Sequence, residues 1–296
     1  MNTPAIQAVL DLERIDKDIY RGRAMDSDIF VRTFGGHVAG QALVAATRTV
    51  SEDKKVHSLH GYFLRGGVAK AETVYKVSRP RDGRSFATRT VEAVQDGEVI
   101  FSMQASFHVT TDEGPEHFDP VRTVPKPEEL PPAGAGVAEN LKGLKKEWKD
   151  WDIRLVPPNA YQHDSNSAGQ QLVWFRSRVP LPDNDTFHVC TLAYMSDMTL
   201  LYTALVPHPG HKVQMASLDH AMWFLRPFRA DEWLLYDQSS PSAHHGRGLA
   251  QGKIYDSRGN LVAVCMQEGL TRSLREGATT LPEESRERQA SSSSNS

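Results

Sequence analysis

Three polar residues in the second half of this chain stand among apolar neighbours, and their types together suit the activation of a water molecule. Asp197 lies in Tyr194-Met195-Ser196-Asp197-Met198-Thr199, Ser217 in Met215-Ala216-Ser217-Leu218-Asp219-His220, and Gln267 in Val264-Cys265-Met266-Gln267-Glu268-Gly269. Ser217 and Gln267 interrupt runs that otherwise read as strands, where an unpaired hydroxyl or amide is costly to bury. Asp197 is the only strong proton acceptor of the three and therefore the candidate general base. Ser217 and Gln267 can hold the water oxygen or pass its proton, a positioning role. The plainer readings are a helix cap for Asp197 and a structural hydrogen bond between Ser217 and Gln267. No metal is needed by this set. His244-His245, His57 and His60 have no Cys or carboxylate cluster around them of the kind a metal centre uses.

The elements that must position these residues occur twice. Gly83-Arg84 recurs as Gly246-Arg247, and Phe101-Ser102-Met103-Gln104 as Val264-Cys265-Met266-Gln267, both 163 positions on (246 − 83, 267 − 104). Phe63-Leu64-Arg65 recurs as Phe224-Leu225-Arg226 at 161 (226 − 65). Such self-similarity marks one duplicated fold unit whose copies pack on each other. At an offset of 163, Phe34 corresponds to Asp197, and Gln104 to Gln267. One half thus has a carboxylate where the other has a ring, so a single site per chain is expected, in the second copy.

Each copy reads as a helix followed by four strands. Residues 5–24 form a short helix and lead-in, and the small-residue run from Gly35 to Ala46 a helix able to lie close against a sheet. Strands are expected at 56–64, 71–78, 85–95 and 98–109. In the third of them Arg89, Val91 and Ala93 share one face. Gln95-Asp96-Gly97-Glu98 is a hairpin turn, since Asp-Gly accepts positive backbone angles. In the second copy a helix is expected over 192–206 and strands over 213–224, 232–237, 247–255 and 260–271. The division is a first repeat at 1–112, a Pro-rich and charged connector at 113–170, a second repeat at 171–274 and a disordered tail at 275–296. The fold class is α+β, with two antiparallel sheets, each against a helix, joined edge to edge so that fewer strand edges are exposed.

Composition excludes several function classes. Hydrophobic residues make up 39% and charged residues 24% of the 296, with a net charge of −3, which argues against nucleic acid or an anionic membrane surface as partner. The two cysteines, Cys190 and Cys265, lie in apolar stretches and read as reduced core residues of a cytoplasmic protein. Residues 1–12 lack a signal-peptide pattern, and Ser294-Asn295-Ser296 is not the Ser-Lys-Leu peroxisomal address. No apolar run approaches the roughly 20 residues of a membrane span. There is no Gly-x-Ser-x-Gly elbow, and Gly246–Lys253 lacks P-loop spacing.

The runs Arg32-Thr33-Phe34-Gly35-Gly36-His37-Val38-Ala39-Gly40-Gln41-Ala42-Leu43, Tyr194-Met195-Ser196-Asp197, Ser217-Leu218-Asp219-His220-Ala221-Met222-Trp223-Phe224, Arg226-Pro227-Phe228, Glu232-Trp233-Leu234-Leu235-Tyr236 and Gln267-Glu268-Gly269 resemble the type II acyl-CoA thioesterases, the TesB family. The resemblance covers about residues 8–272 and departs in the connector and tail. It implies a double hotdog fold and hydrolysis of acyl-CoA without a cofactor. It also implies Asp197, Ser217 and Gln267 as the catalytic set, with Ser where the family has Ser or Thr, and a homo-oligomer of double-hotdog chains. Arg65, Arg79, Arg81, Arg84, Arg226 and Arg247 are candidates for the CoA phosphates. Two other readings suit a hotdog fold. One is an acyl-thioester dehydratase or hydratase, which wants a His beside its carboxylate, and no His adjoins Asp197 along the chain. The other is a non-catalytic acyl-CoA-binding protein, which has no use for a lone carboxylate near an anionic ligand.

Overall fold

Alternation of buried and exposed side chains runs through the long strands of the computed structural model, which describes residues 6–25, 27, 30, 32–132 and 148–274. A short helix α1 (Ile6–Val9) and a hairpin of β1 (Glu13–Asp16) and β2 (Ile19–Gly22) lead into helix α2 (Gly35–Thr47). Strands β3 (Lys54–Phe63), β4 (Thr73–Asp82), β5 (Phe86–Gln95) and β6 (Glu98–Val109) follow. The second half contains β7 (Trp151–Leu155), β8 (Gly169–Ser177), helix α3 (Asp185–Met195), β9 (Val213–Ser217), β10 (Asp219–Phe224), β11 (Leu234–His244), β12 (Arg247–Asp256) and β13 (Leu261–Ser273).

These strands make one antiparallel sheet in the order β1-β2-β4-β5-β6-β3-β10-β13-β12-β11-β8-β7, with β9 also on β13. Read outward from the β3/β10 pair, the two halves repeat the same sequence of strands. The join is a ladder from Asp219↔Tyr62 to Trp223↔Ser58, so the sheets are continuous across the chain and neither has an open edge there. Strands β2 to β6 all touch α2, and β8, β11, β12 and β13 touch the 3-10 turn Leu201–Leu205. Each half of the sheet therefore wraps a helical filling, the double hotdog arrangement.

Small residues bring the two helices together. Ala39, Ala42, Leu43, Ala45 and Ala46 on α2 are at most 1% exposed. A Cβ at Gly36 would overlap the carbonyl oxygen of Tyr194, and one at Gly40 would press on that of Cys190, so the helices run antiparallel in close contact. The glycines expected to serve helix-on-sheet contact serve helix-on-helix contact as well. The Asp-Gly turn has its positive angles, with φ of 48° at Asp96 and 78° at Gly97. Cys190 and Cys265 are buried free thiols. No helix among the described residues is long and apolar enough to cross a membrane.

Several sequence readings need correction. The lead-in is mostly the β1–β2 hairpin. The helix expected over 192–206 instead begins at Asp185 and ends at Met195, with a separate 3-10 turn at Leu201–Leu205. The long strand expected over 213–224 breaks at Leu218. The span 113–170 contributes β7 to the sheet, and β8 starts before residue 171. Most of the charged segment at 139–151 and all of the tail at 275–296 lie outside the described residues.

Candidate active site

Helix α3 starts with Asn184, whose side-chain oxygen accepts from Phe187 N at 3.1 Å, and ends at the C-cap Ser196. Asp197 is the next residue. It therefore follows a helix rather than starting one, and the helix-start counterpart of Phe34 is Asn184. The pairing of Phe34 with Asp197 at an offset of 163 does not hold.

Asp197 is nevertheless at a helix N-terminus, that of α2 in the other half. Phe34, the N-cap of α2, provides no side-chain acceptor, and Asp197 Oδ2 accepts from Gly36 N at 2.9 Å instead. A carboxylate there satisfies an orphan amide and meets the positive end of the helix dipole. Glycine is required at position 35 because a Cβ would sit 2.6 Å from Asp197 Oδ2. The Phe34 ring packs edge-on against Tyr194 with centroids 5.2 Å apart.

Ser217 reaches the carboxylate through a local irregularity. Ser217 pairs with Gly269 in the β9–β13 ladder, whereas the β10–β13 ladder ends at Ala221↔Met266 in a register one residue out of step. A bulge of this kind re-aims side chains. The Asp219 carboxylate takes up the displaced Glu268 N–H at 2.6 Å. Ser217 Oγ donates to Asp197 Oδ1 at 3.1 Å. Gln267, on the inner face of β13 and fully buried, donates from Nε2 to Asp197 Oδ1 at 2.6 Å and to Ser217 Oγ at 2.7 Å.

The three expected residues thus converge from three elements, and a fourth group, the Gly36 amide, comes from the first half. Burial pushes the Asp197 pKa above the ordinary carboxylate value, although His220, Gln267, Ser217 and the Gly36 N–H each pull the other way. Asp197 keeps partial solvent exposure, which a base that meets water needs. A carboxylate with raised pKa is a better proton acceptor near neutral pH. Gln104, by contrast, is exposed on the outer face opposite His60, so it is not the structural equivalent of Gln267. A one-residue difference in register puts the two on opposite faces. A cavity of about 400 Å³ is lined by Thr47, Val50, Lys54, Asn184 and Asp185, at the opposite end of α2 from Asp197. Of the candidate arginines, Arg65 pairs with Glu98, Arg79 with Asp18 and Arg247 with Glu268, while Arg226 lies over the Phe118 ring.

Sequence reasoning missed His220. It is 1% exposed and faces inward with Met222 and Phe224 on β10. Burial opposes its charged form, but the Cys265 sulfur and the Asp197 carboxylate outweigh that, and its pKa is pushed up to about 9. The alternation of Asp219–Phe224 puts His220 on the core face, which was the available signal. A His near the carboxylate reopens the dehydratase reading. However, His220 Nε2 is 2.8 Å from Ser196 Oγ and 3.4 Å from Cys265 Sγ, facing the protein interior rather than a substrate.

Residues 145–270 match the acyl-CoA thioesterase family, and residues 26–108 match the acyl-CoA thioesterase N-terminal domain. The chain is 42% identical over 284 residues to acyl-coenzyme A thioesterase 8 of Rattus norvegicus, covering 90% of this chain and 89% of that one. The crystal structure of an acyl-CoA thioesterase II, TesB2, from Mycobacterium marinum superposes with a TM-score of 0.81 at 53% identity, over 93% of this chain and 100% of that one. A hot-dog-fold protein of Alicyclobacillus acidocaldarius, 21% identical, superposes with a TM-score of 0.75 over 92% of this chain and all of its own, a likeness of fold. Sheet, helices and their duplication define a double-hotdog protein. Within that class, the chain belongs to the acyl-CoA thioesterase family.

Proposed function

We propose that this chain hydrolyses fatty acyl-CoA to a free fatty acid and CoA, with a water activated by Asp197 and positioned by Ser217 and Gln267. It is an acyl-CoA thioester hydrolase of the thioesterase II type. The observation that supports the site most strongly is the sharing of one carboxylate oxygen, Asp197 Oδ1, by Ser217 Oγ and Gln267 Nε2. Asp197 takes a proton from the water as its oxygen adds to the thioester carbonyl carbon. The negative charge moves to the carbonyl oxygen, for which the first-turn N–H of Gly35, beside the carboxylate at the start of α2, is the proposed donor. Collapse of the tetrahedral adduct breaks the C–S bond. The CoA thiolate leaves with the proton returned from Asp197. No acyl-enzyme forms.

The same reading assigns catalysis to the repeat at 171–274, with the repeat at 1–112 contributing the α2 amides. It sets the chain in the cytoplasm, as a homo-oligomer of double-hotdog protomers. A dehydratase or a silent acyl-CoA binder has no use for this arrangement, in which a carboxylate and a serine hydroxyl are the partly exposed groups while His220 and Gln267 are buried. The test is release of CoA, followed with a thiol reagent across a series of acyl chain lengths. Thiol release with saturation kinetics supports hydrolysis. An absorbance change at an enoyl group without thiol release contradicts it.

A further inference from the structure

Two buried polar atoms next to the candidate site have no hydrogen-bond partner by geometry, Gln267 Oε1 and His220 Nδ1. They belong to neighbouring strands. One step beyond the last ladder pair, Ala221↔Met266, His220 stands across from Gln267, with both side chains on the inner face. A bond from the ring to the Gln267 amide would favour the protonated ring. An orphan acceptor and an orphan donor side by side at such depth is costly unless they meet each other.

The other ring nitrogen bears on its protonation. Ser196 Oγ lies 3.1 Å from Ala193 O, a carbonyl that can only accept, so the hydroxyl proton can be directed there. With its proton toward Ala193 O or toward Met222 Sδ 3.3 Å away, the hydroxyl oxygen is free to accept from His220 Nε2 at 2.8 Å. An Nε2 that donates to Ser196 and an Nδ1 that donates to Gln267 would together make the ring an imidazolium. The groups around it are Asp197 after α3, Cys265 and Gln267 on β13, and Tyr236 on β11, whose hydroxyl donates to Ser196 O at 3.2 Å. Asp197 is the one carboxylate of this set.

We propose that His220 is a positioning residue for the hydrolysis, holding the Gln267 amide with Oε1 toward its own Nδ1–H and keeping Asp197 ionised by its charge. The amide orientation matters. Turned over, Oε1 would face Asp197 Oδ1, two acceptors in contact, and Ser217 would lose the donor that holds its hydroxyl. The inference rests on the proposed function of Asp197, Ser217 and Gln267.

Two variants separate the parts of the proposal. His220→Asn places an amide donor near the former Nδ1 without charge, and His220→Leu removes both donor and charge. His220→Leu is expected to lower kcat by about tenfold to a hundredfold with KM within about threefold, the mark of lost positioning. His220→Asn should recover most of that kcat at its optimum, while the acid limb of its pH profile moves up by about one pH unit, since a nearby cation lowers a carboxyl pKa. Wild-type kcat in a folded His220→Leu protein overturns the proposal. Should His220→Leu not fold, an acid limb unmoved in His220→Asn overturns it alone. Asp197→Asn measured alongside tells the two failures apart. An inactive Asp197→Asn with an active His220→Leu rejects only the role of His220, and an active Asp197→Asn rejects the function of the site itself.

Discussion

At the scale of single residues, the proposed chemistry rests on a carboxylate held between a helix N-terminus and two side-chain donors. Burial raises the Asp197 pKa, so the acid limb of the kcat profile is expected above the ordinary value of 3.8. A pH–rate series locates it, and a limb at or below 3.8 contradicts the burial argument. The same shift bears on stability. A carboxyl whose folded pKa lies above its unfolded one favours folding while protonated, and that contribution is lost as pH rises through the folded value. At neutral pH the ionised Asp197 therefore costs stability that Asn would not. Asn, however, offers one oxygen where Asp offers two, so either the Gly36 or the Gln267 contact weakens. These effects oppose each other, and the melting temperature of Asp197→Asn should stay within about 4 °C of wild type. The types of Asp197, Ser217 and Gln267 were legible in the sequence because each is a polar residue in an apolar run. His220 was not, because its nearness to Asp197 is set by strand pairing and not by position along the chain.

At the scale of elements, the strands and the Asp-Gly turn follow from alternation and turn chemistry, but the second helix does not. The apolar run from Leu192 to Val206 extends the helical pattern past its true end, since Leu201 and Ala204 in the 3-10 turn, and Leu200 just before it, are buried with similar spacing. The β1 strand, Glu13-Arg14-Ile15-Asp16, is exposed throughout and gives no alternating signal. Register is the subtlest failure. Met103-Gln104 and Met266-Gln267 match as letters, yet Gln104 is exposed and Gln267 buried. Gln104→Ala should thus leave kcat within about twofold of wild type, as expected of a surface substitution with no contact to the site. A loss equal to that of Gln267→Ala would contradict the assignment of faces. The helix pair offers a second check. Gly36→Ala forces a methyl onto the Tyr194 carbonyl and should cost about 1–3 kcal/mol of stability by overpacking, read from denaturant midpoints. No change would mean the helices are not in backbone contact.

At the scale of the whole molecule, the halves are bound by the β3/β10 ladder, the α2–α3 contact and the Asp197 cap on Gly36, which crosses from one half to the other. The duplication was readable from the recurring motifs, but not that the site would straddle it. Connections this intimate predict one cooperative unfolding transition. The chain supplies its own probe. Four of the five tryptophans, Trp151, Trp174, Trp223 and Trp233, lie in the second half and Trp148 in the connector just before it, whereas backbone dichroism reports both halves. Denaturation curves from tryptophan fluorescence and far-ultraviolet dichroism should coincide. A fluorescence transition separated from the dichroism transition would show halves that fold independently.

The central claim is that Asp197 is the base and more than a helix cap, and the most direct measurement is the turnover of Asp197→Asn with a saturating acyl-CoA. Melting temperature should be taken on the same preparation. Asn and Asp are nearly equal as caps, so the fold should persist. Turnover should fall by roughly a hundredfold or more, the scale of a lost general base. Ser217→Ala and Gln267→Ala should each lose less, since each removes a positioning contact and leaves the carboxylate. A folded Asp197→Asn protein that releases CoA at close to the wild-type rate would contradict the mechanism.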